Sequence, residues 1–131
     1  MSDKTDTVLC IASAAINQYR FVQVDGTSGK LEQTITAGDE VFGVATEAAS
    51  ADGDEVAVAI GGYTLVDFGA GGALFGKQLT TDTNGKAVVA TATDVIIGYA
   101  APEPVNGAVS TIAANTRGRI YLYGAKGTVA S

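Results

Sequence analysis

The chain has 131 residues, 47% of them hydrophobic, 7% aromatic and 17% charged, with a net charge of -6, a balance that suits one globular domain with a real apolar core. It has no His, no Trp and a single Cys, which removes imidazole bases, Ser-His and Cys-His nucleophile pairs, His-ligated metals, thiolate clusters and internal disulfides. Fourteen acidic against eight basic residues, thinly spread, disfavour a polyphosphate partner, so neither nucleic acid nor an anionic membrane is expected.

In chain order, residues 1–17 read as an N-terminal arm. The first seven are polar and charged, whereas Val8-Leu9-Cys10-Ile11-Ala12 is apolar and competent for a strand, either in the chain's own sheet or added to a neighbouring surface. The apolar stretch Val8 to Ile16 has nine residues, far short of the ~20 that cross a bilayer. Asp3 and Asp6 cancel Lys4 and spoil a secretory n-region, and Leu9 stands where a lipoprotein signal needs a small residue before Cys10. The segment is therefore expected to belong to the mature, soluble protein. Cys10 itself reads as a small buried hydrophobe.

From residue 18 to 131 the pattern is that of a single β domain. Candidate strands are Tyr19 to Asp25, Leu31 to Ile35, Val41 to Thr46, Glu55 to Ile60, Tyr63 to Asp67, Lys77 to Thr80, Lys86 to Thr91, Val95 to Ala100, Ala108 to Ile112 and Gly118 to Tyr123. Turns separate most of them: Asp25-Gly26-Thr27-Ser28-Gly29, Ala37-Gly38-Asp39, Asp52-Gly53-Asp54, Asp82-Thr83-Asn84-Gly85 and Val105-Asn106-Gly107. Ala48-Ala49-Ser50-Ala51 would permit a turn of helix. Period-2 patterning places Val56, Val58 and Ile60 on one face of their strand. It places Ile120 and Leu122 inward on the last one, leaving Tyr121 and Tyr123 on the opposite face, where aromatic residues invite an interface. About ten short strands with turns at this spacing predict an all-β fold, a small antiparallel barrel or sandwich. The stretch Phe42-Gly43-Val44-Ala45-Thr46-Glu47 to Gly62-Tyr63-Thr64-Leu65-Val66 is echoed by Ile97-Gly98-Tyr99-Ala100-Ala101 to Gly118-Arg119-Ile120-Tyr121-Leu122, which suggests two related β units, about 41–68 and 95–124.

None of the motifs carries chemistry. Gly69-Ala70-Gly71-Gly72 lacks the third glycine of a dinucleotide fingerprint and the Lys-Ser/Thr of a P-loop, and reads as a connection. Asp52-Gly53-Asp54-Glu55 and Asp82-Thr83-Asn84-Gly85 lack the spacing of a calcium loop and read as polar hairpin turns. There is no Gly-x-Ser-x-Gly elbow, and a glycosidase pair of carboxylates would want sugar-stacking aromatics. No catalytic, cofactor-binding or metal-ligating residues are assigned.

The order of elements nevertheless has a likeness. Tyr19-Arg20-Phe21-Val22 leading to Asp25-Gly26 and Gly29-Lys30, then Val41-Phe42-Gly43-Val44, an Ala-rich bend with Gly53, Val56-Ala57-Val58, Asp82-x-x-Gly85-Lys86-Ala87 and Ile97-Gly98-Tyr99-Ala100 resembles small capsid decoration, or cement, proteins of tailed bacteriophages over residues 17 to 123. The resemblance implies a non-enzymatic, cofactor-free structural protein on the outer surface of the virion, made in the host cytoplasm. It also implies the major capsid protein and the chain itself, as a homotrimer, for partners. On this reading Val8, Leu9, Cys10, Ile11, Tyr121 and Tyr123 are the expected interface residues. The alternatives left open are a virion-surface module for glycan or host adhesion and a tail or head-fibre component.

Overall fold

The computed structural model describes residues 5–34, 36–38, 40–91, 93–101, 111–123 and 128–129. The Val105-Asn106-Gly107 turn, most of the expected strand from Ala108 to Ile112, Asp39, Ile35 and the first four residues of the arm lie outside that set. Among the described residues there is no helix and there are thirteen strands. They are β1 (Thr5–Ile11), β2 (Phe21–Val24), β3 (Leu31–Gln33), β4 (Gly43–Ala45), β5 (Glu55–Asp67), β6 (Ala73–Leu74), β7 (Gln78–Thr81), β8 (Ala87–Val89), β9 (Val95–Ile96), β10 (Gly98–Ala100), β11 (Thr111–Ile112), β12 (Arg117–Leu122) and β13 (Thr128–Val129).

The main sheet runs β3-β2-β4-β5-β12-β10-β7-β8 with every pairing antiparallel, and β1 joins it on β5. The sheet curls strongly, and bridges bring its ends back towards the middle: Ala12 meets Leu31 next to β3, and Phe68 meets Ala87 at the start of β8. The fold is all-β, with the architecture of a curled half-barrel.

The axis of this arrangement is β5, thirteen residues long. Its first half carries β1 on one edge and β4 on the other, since Ala59 pairs with both Thr7 and Val44; its second half carries β12, from Leu122 on Gly62 to Arg117 on Asp67. The two strands expected from Glu55 to Ile60 and from Tyr63 to Asp67 are thus one. Gly61-Gly62 resembles a break in sequence, but Gly62 sits at φ 83°, and together with a register shift opposite Asp6 and Thr7 it lets the strand bend without ending. The opposite correction applies to Val95 to Ala100. The chain changes partners at Ile97, so β9 pairs with β13 while β10 pairs with β7 and β12. The two-residue β6, paired with β11, is too short to show any periodicity in sequence. At the Ala-rich bend Ala49 bridges to Ile16 in extended backbone.

The sheet curls so that β2, β4 and β5 contribute side chains to cores on both of their faces. Phe21, Val44, Ala59 and Val66 face one core with Phe68, Leu79, Ala87, Ile97, Ala100, Ile120 and Leu122. Val22, Ala45, Val56 and Val58 face a second core with Ala12, Ile16, Leu31 and Ala49, against which Val8, Cys10, Phe42 and Ile60 also pack. The small residues so abundant in the composition allow this, because a strand buried on both sides at close approach has room for Ala, Gly and Val and little more. Inside, the hydroxyls of Thr34 and Thr81 hydrogen-bond to each other at 2.6 Å, which removes the cost of burying either alone.

Candidate functional site

The main aromatic feature of the described surface is built by strand register. Tyr63 on β5 lies opposite Tyr121 on β12, which in turn lies opposite Tyr99 on β10, and Tyr123 follows two residues after Tyr121 on the same face. Side-chain alternation therefore gathers four tyrosines on the side opposite buried Ile120 and Leu122. Ring centroids are 5.1 Å apart for Tyr63 and Tyr121, 5.3 Å for Tyr99 and Tyr121, 5.9 Å for Tyr99 and Tyr123 and 6.3 Å for Tyr121 and Tyr123. These separations fall in the range of favourable ring pairs. The Arg119 guanidinium lies 4.3 Å from the centre of the Tyr63 ring, and Leu65, opposite Arg119, is exposed beside it. Burial raises the Tyr99 hydroxyl above its ordinary pKa, helped by a hydrogen bond with Tyr63 and by the neighbouring phenols. Such a face suits contact with another protein surface.

Tyr121 and Tyr123 are thus where alternation put them, but the partners Tyr63 and Tyr99 were not legible as part of the same face. Their only signal was the recurrence of Tyr in the two echoed segments; knowing that β5, β12 and β10 are neighbours is what assembles them.

The other expected interface residues lie on β1, antiparallel to β5 of the same chain, with Val8 opposite Val58, Leu9 opposite Ala57, Cys10 opposite Val56 and Ile11 opposite Glu55. Val8 and Cys10 turn to the second core, while Leu9 and Ile11 point out, Leu9 with 69% of its surface exposed. Burial holds the Cys10 thiol above its usual pKa, which keeps it protonated at neutral pH.

A charged group locks the fold where β2, β5 and β12 converge. The Asp67 carboxylate accepts from Arg20 Nε at 2.9 Å and from Arg117 Nε at 2.8 Å. Arg117 also stacks 4.4 Å over the Tyr19 ring, whose residue is held at φ 60°. Burial of Asp67 works against ionisation, yet the hydrogen bonds and charges of Arg117 and Arg20 outweigh it and hold the carboxyl below its usual pKa. A carboxyl whose folded pKa is depressed adds stability above its unfolded pKa, near 4, and loses it as pH falls below that value. Asp67→Asn is accordingly expected to cost about 1 kcal/mol at pH 7, a figure discounted for partial exposure. The gap to wild type should narrow in thermal melts at pH 3, and a gap independent of pH would contradict the assignment. Among the described residues no group of three or more Cys, Asp or Glu side chains is disposed to hold a metal ion.

Comparison with known proteins adds to this geometry. The fold is similar to that of the crystal structure of the head fiber gp8.5 N base in bacteriophage phi29, with a TM-score of 0.65 and 16% identity over 94% of this chain and 98% of that one. No curated protein matches the sequence. A family model described as phage cement protein matches residues 1–124. The match spans both halves of the sheet, the tyrosine face and β1, and the chain belongs to the phage cement protein family, structural proteins of the outer surface of the phage head.

Proposed function

We propose that the chain decorates the head as a homotrimer that grips the major capsid protein and reinforces contacts between neighbouring capsid subunits, with no catalytic step. The observation that carries the self-association is the four-tyrosine face with Arg119 and Leu65 at its margin, because such aromatic and Arg-bearing patches are the residue classes enriched at protein interfaces. Leu9 and Ile11, the two outward residues of the interface set on β1, are available for the second contact, to the shell. Binding the assembled shell and not its free subunits stabilises it by about RT ln(1 + [L]/Kd) per site, and joining three copies multiplies the attachment.

The expected solution mass is three times the 13.2 kDa chain. Tyr123→Lys, at an exposed position of the cluster, is expected to convert that species to monomer in sedimentation equilibrium while leaving the circular dichroism of the strands unchanged. A wild-type monomer at all concentrations would remove the trimer. In purified virions the protein should be present in copies comparable to the major capsid protein; a few copies per particle would favour a fibre or adhesin role.

A further inference from the structure

We infer that the outer edge of β1 is an acceptor for an extended segment of the capsid shell, which adds as a further strand beside it. This rests on the proposed attachment to the head and says how that attachment is made.

The edge has free hydrogen-bonding groups in a defined order. Ala12 N–H donates towards β5, to the Asp54 carbonyl, whereas Ser13 N–H points the other way and donates to the Leu31 carbonyl. Ala57, opposite Leu9, uses its N–H and its carbonyl on the β4 side, to Glu47 and Thr46. Alternation therefore turns the N–H and C=O of Leu9 and Ile11 away from β5. Among the described residues no strand pairs with Leu9 or with the N–H of Ile11, and β3 covers the edge only at its end, where the parallel bridge of Ala12 with Leu31 takes up the Ile11 carbonyl and the Ser13 N–H.

Natural edge strands are guarded by Pro, Lys, inward charges or short length. This one is seven residues long, and from Thr7 to Ser13 it contains neither Pro nor charge. Its outward side chains are instead Leu9 and Ile11, exposed at 69% and 39%. Beside them an open groove is lined by Cys10, Ile11, Val24, Leu31 and Phe42, with Ser28 to Lys30 at its far wall, and Val24 is half exposed there. The backbone row selects a strand, and the groove selects apolar side chains at alternate positions.

Charge identifies whose strand it is. Asp25 adjoins Val24, Asp52 pairs with Lys30 at 2.9 Å, Glu55 lies opposite Ile11, and Asp6 stands at the start of β1. A hydrogen bond from Thr27 N–H keeps the Asp25 carboxyl below its usual pKa, so it is charged at neutral pH. The acidic rim exceeds the one cation, Lys30, that lines the groove, so it favours an incoming segment with basic residues among its polar positions. A second copy of this chain, itself at -6, would bring the same acidic rim and is disfavoured.

The test uses full-length protein and heads purified from a mutant phage that lacks it. The double variant Leu9→Lys with Ile11→Lys is expected to keep the wild-type melting temperature within a few degrees and to load heads at least tenfold less well. Leu74→Lys, an exposed apolar position on β6, should load normally. Hydrogen exchange of the wild-type protein, which does not depend on any variant folding, should show the Leu9 and Ile11 amides slowed on heads relative to free protein. Undiminished loading of the double variant, or bound protein whose Leu9 and Ile11 amides exchange as fast as when free, would overturn the inference. So would a double variant whose sole effect is to split a solution oligomer, since the occupant would then be a second copy. Wild-type protein that fails to load heads at all removes the attachment reading itself, and this one with it.

Discussion

Gly98→Ala is expected to lower stability by about 3 kcal/mol and the melting temperature by about 10 °C. A Cβ at Gly98 would stand 2.0 Å from the backbone oxygen of Tyr121 and 2.9 Å from its carbonyl carbon. Backbone cannot rotate aside as a side chain can, so β10 and β12 would have to separate where Gly98 pairs with Leu122. The strain would reach the surface too, because Tyr99 and Tyr121 ride on the same two strands; the variant should also weaken self-association. Gly26→Ala is the matched control. Nothing lies within 4 Å of a Cβ there, and its effect should stay within about 0.5 kcal/mol. Equal melts for the two variants would refute the close approach of β10 and β12.

Phe68→Ala should cost still more, about 3–5 kcal/mol, the usual range for a fully buried aromatic in a core that cannot collapse around the loss. Phe68 is 0% exposed, bridges to Ala87 and donates its N–H to the Thr116 carbonyl, so it both fills the first core and closes the curl of the sheet. Against a typical stability of about 5–15 kcal/mol the variant would be marginal, and Phe68→Leu provides a milder step in the same direction. The thermal transition should stay single in both variants. The two cores share β2, β4 and β5, and neither can melt without taking away one face of the other's strands. Two resolved transitions, one of them unaffected by Phe68, would show instead that the cores are independent units.

Much of this protein was legible before any coordinates. Alternation in Val56-Ala57-Val58 and in Ile120-Tyr121-Leu122 identified which side chains are buried, and the glycines and aspartates of the hairpin turns marked where most strands stop. These are local properties: a period of two and a tolerance for φ > 0 are written in a few adjacent residues. The absence of His and the single Cys bounded the chemistry, and the order of short motifs pointed to the cement family that the family match then showed.

What the sequence could not settle is everything that depends on which strands are neighbours. Gly61-Gly62 carries the same local signal whether the chain turns back or bends through, and the outcome rests on the neighbouring β4 and on β1 and β12, from afar in the chain, all pairing with β5. Val8-Leu9-Cys10-Ile11 is equally strand-competent in its own sheet or on another; the second core, which Val8 and Cys10 complete, decides for β5. Tyr63 and Tyr99 join Tyr121 only because three strands from distant segments lie in register. By itself the sequence determined which residues are apolar, which faces they occupy and where the backbone can reverse, because those follow from each residue and its immediate neighbours. Only the tertiary structure decided the shared axis of β5, the tyrosine face and the open edge of β1, because hydrogen-bond pairing and core closure join residues distant in the chain, as Cys10 joins Val56 and Tyr63 joins Tyr121.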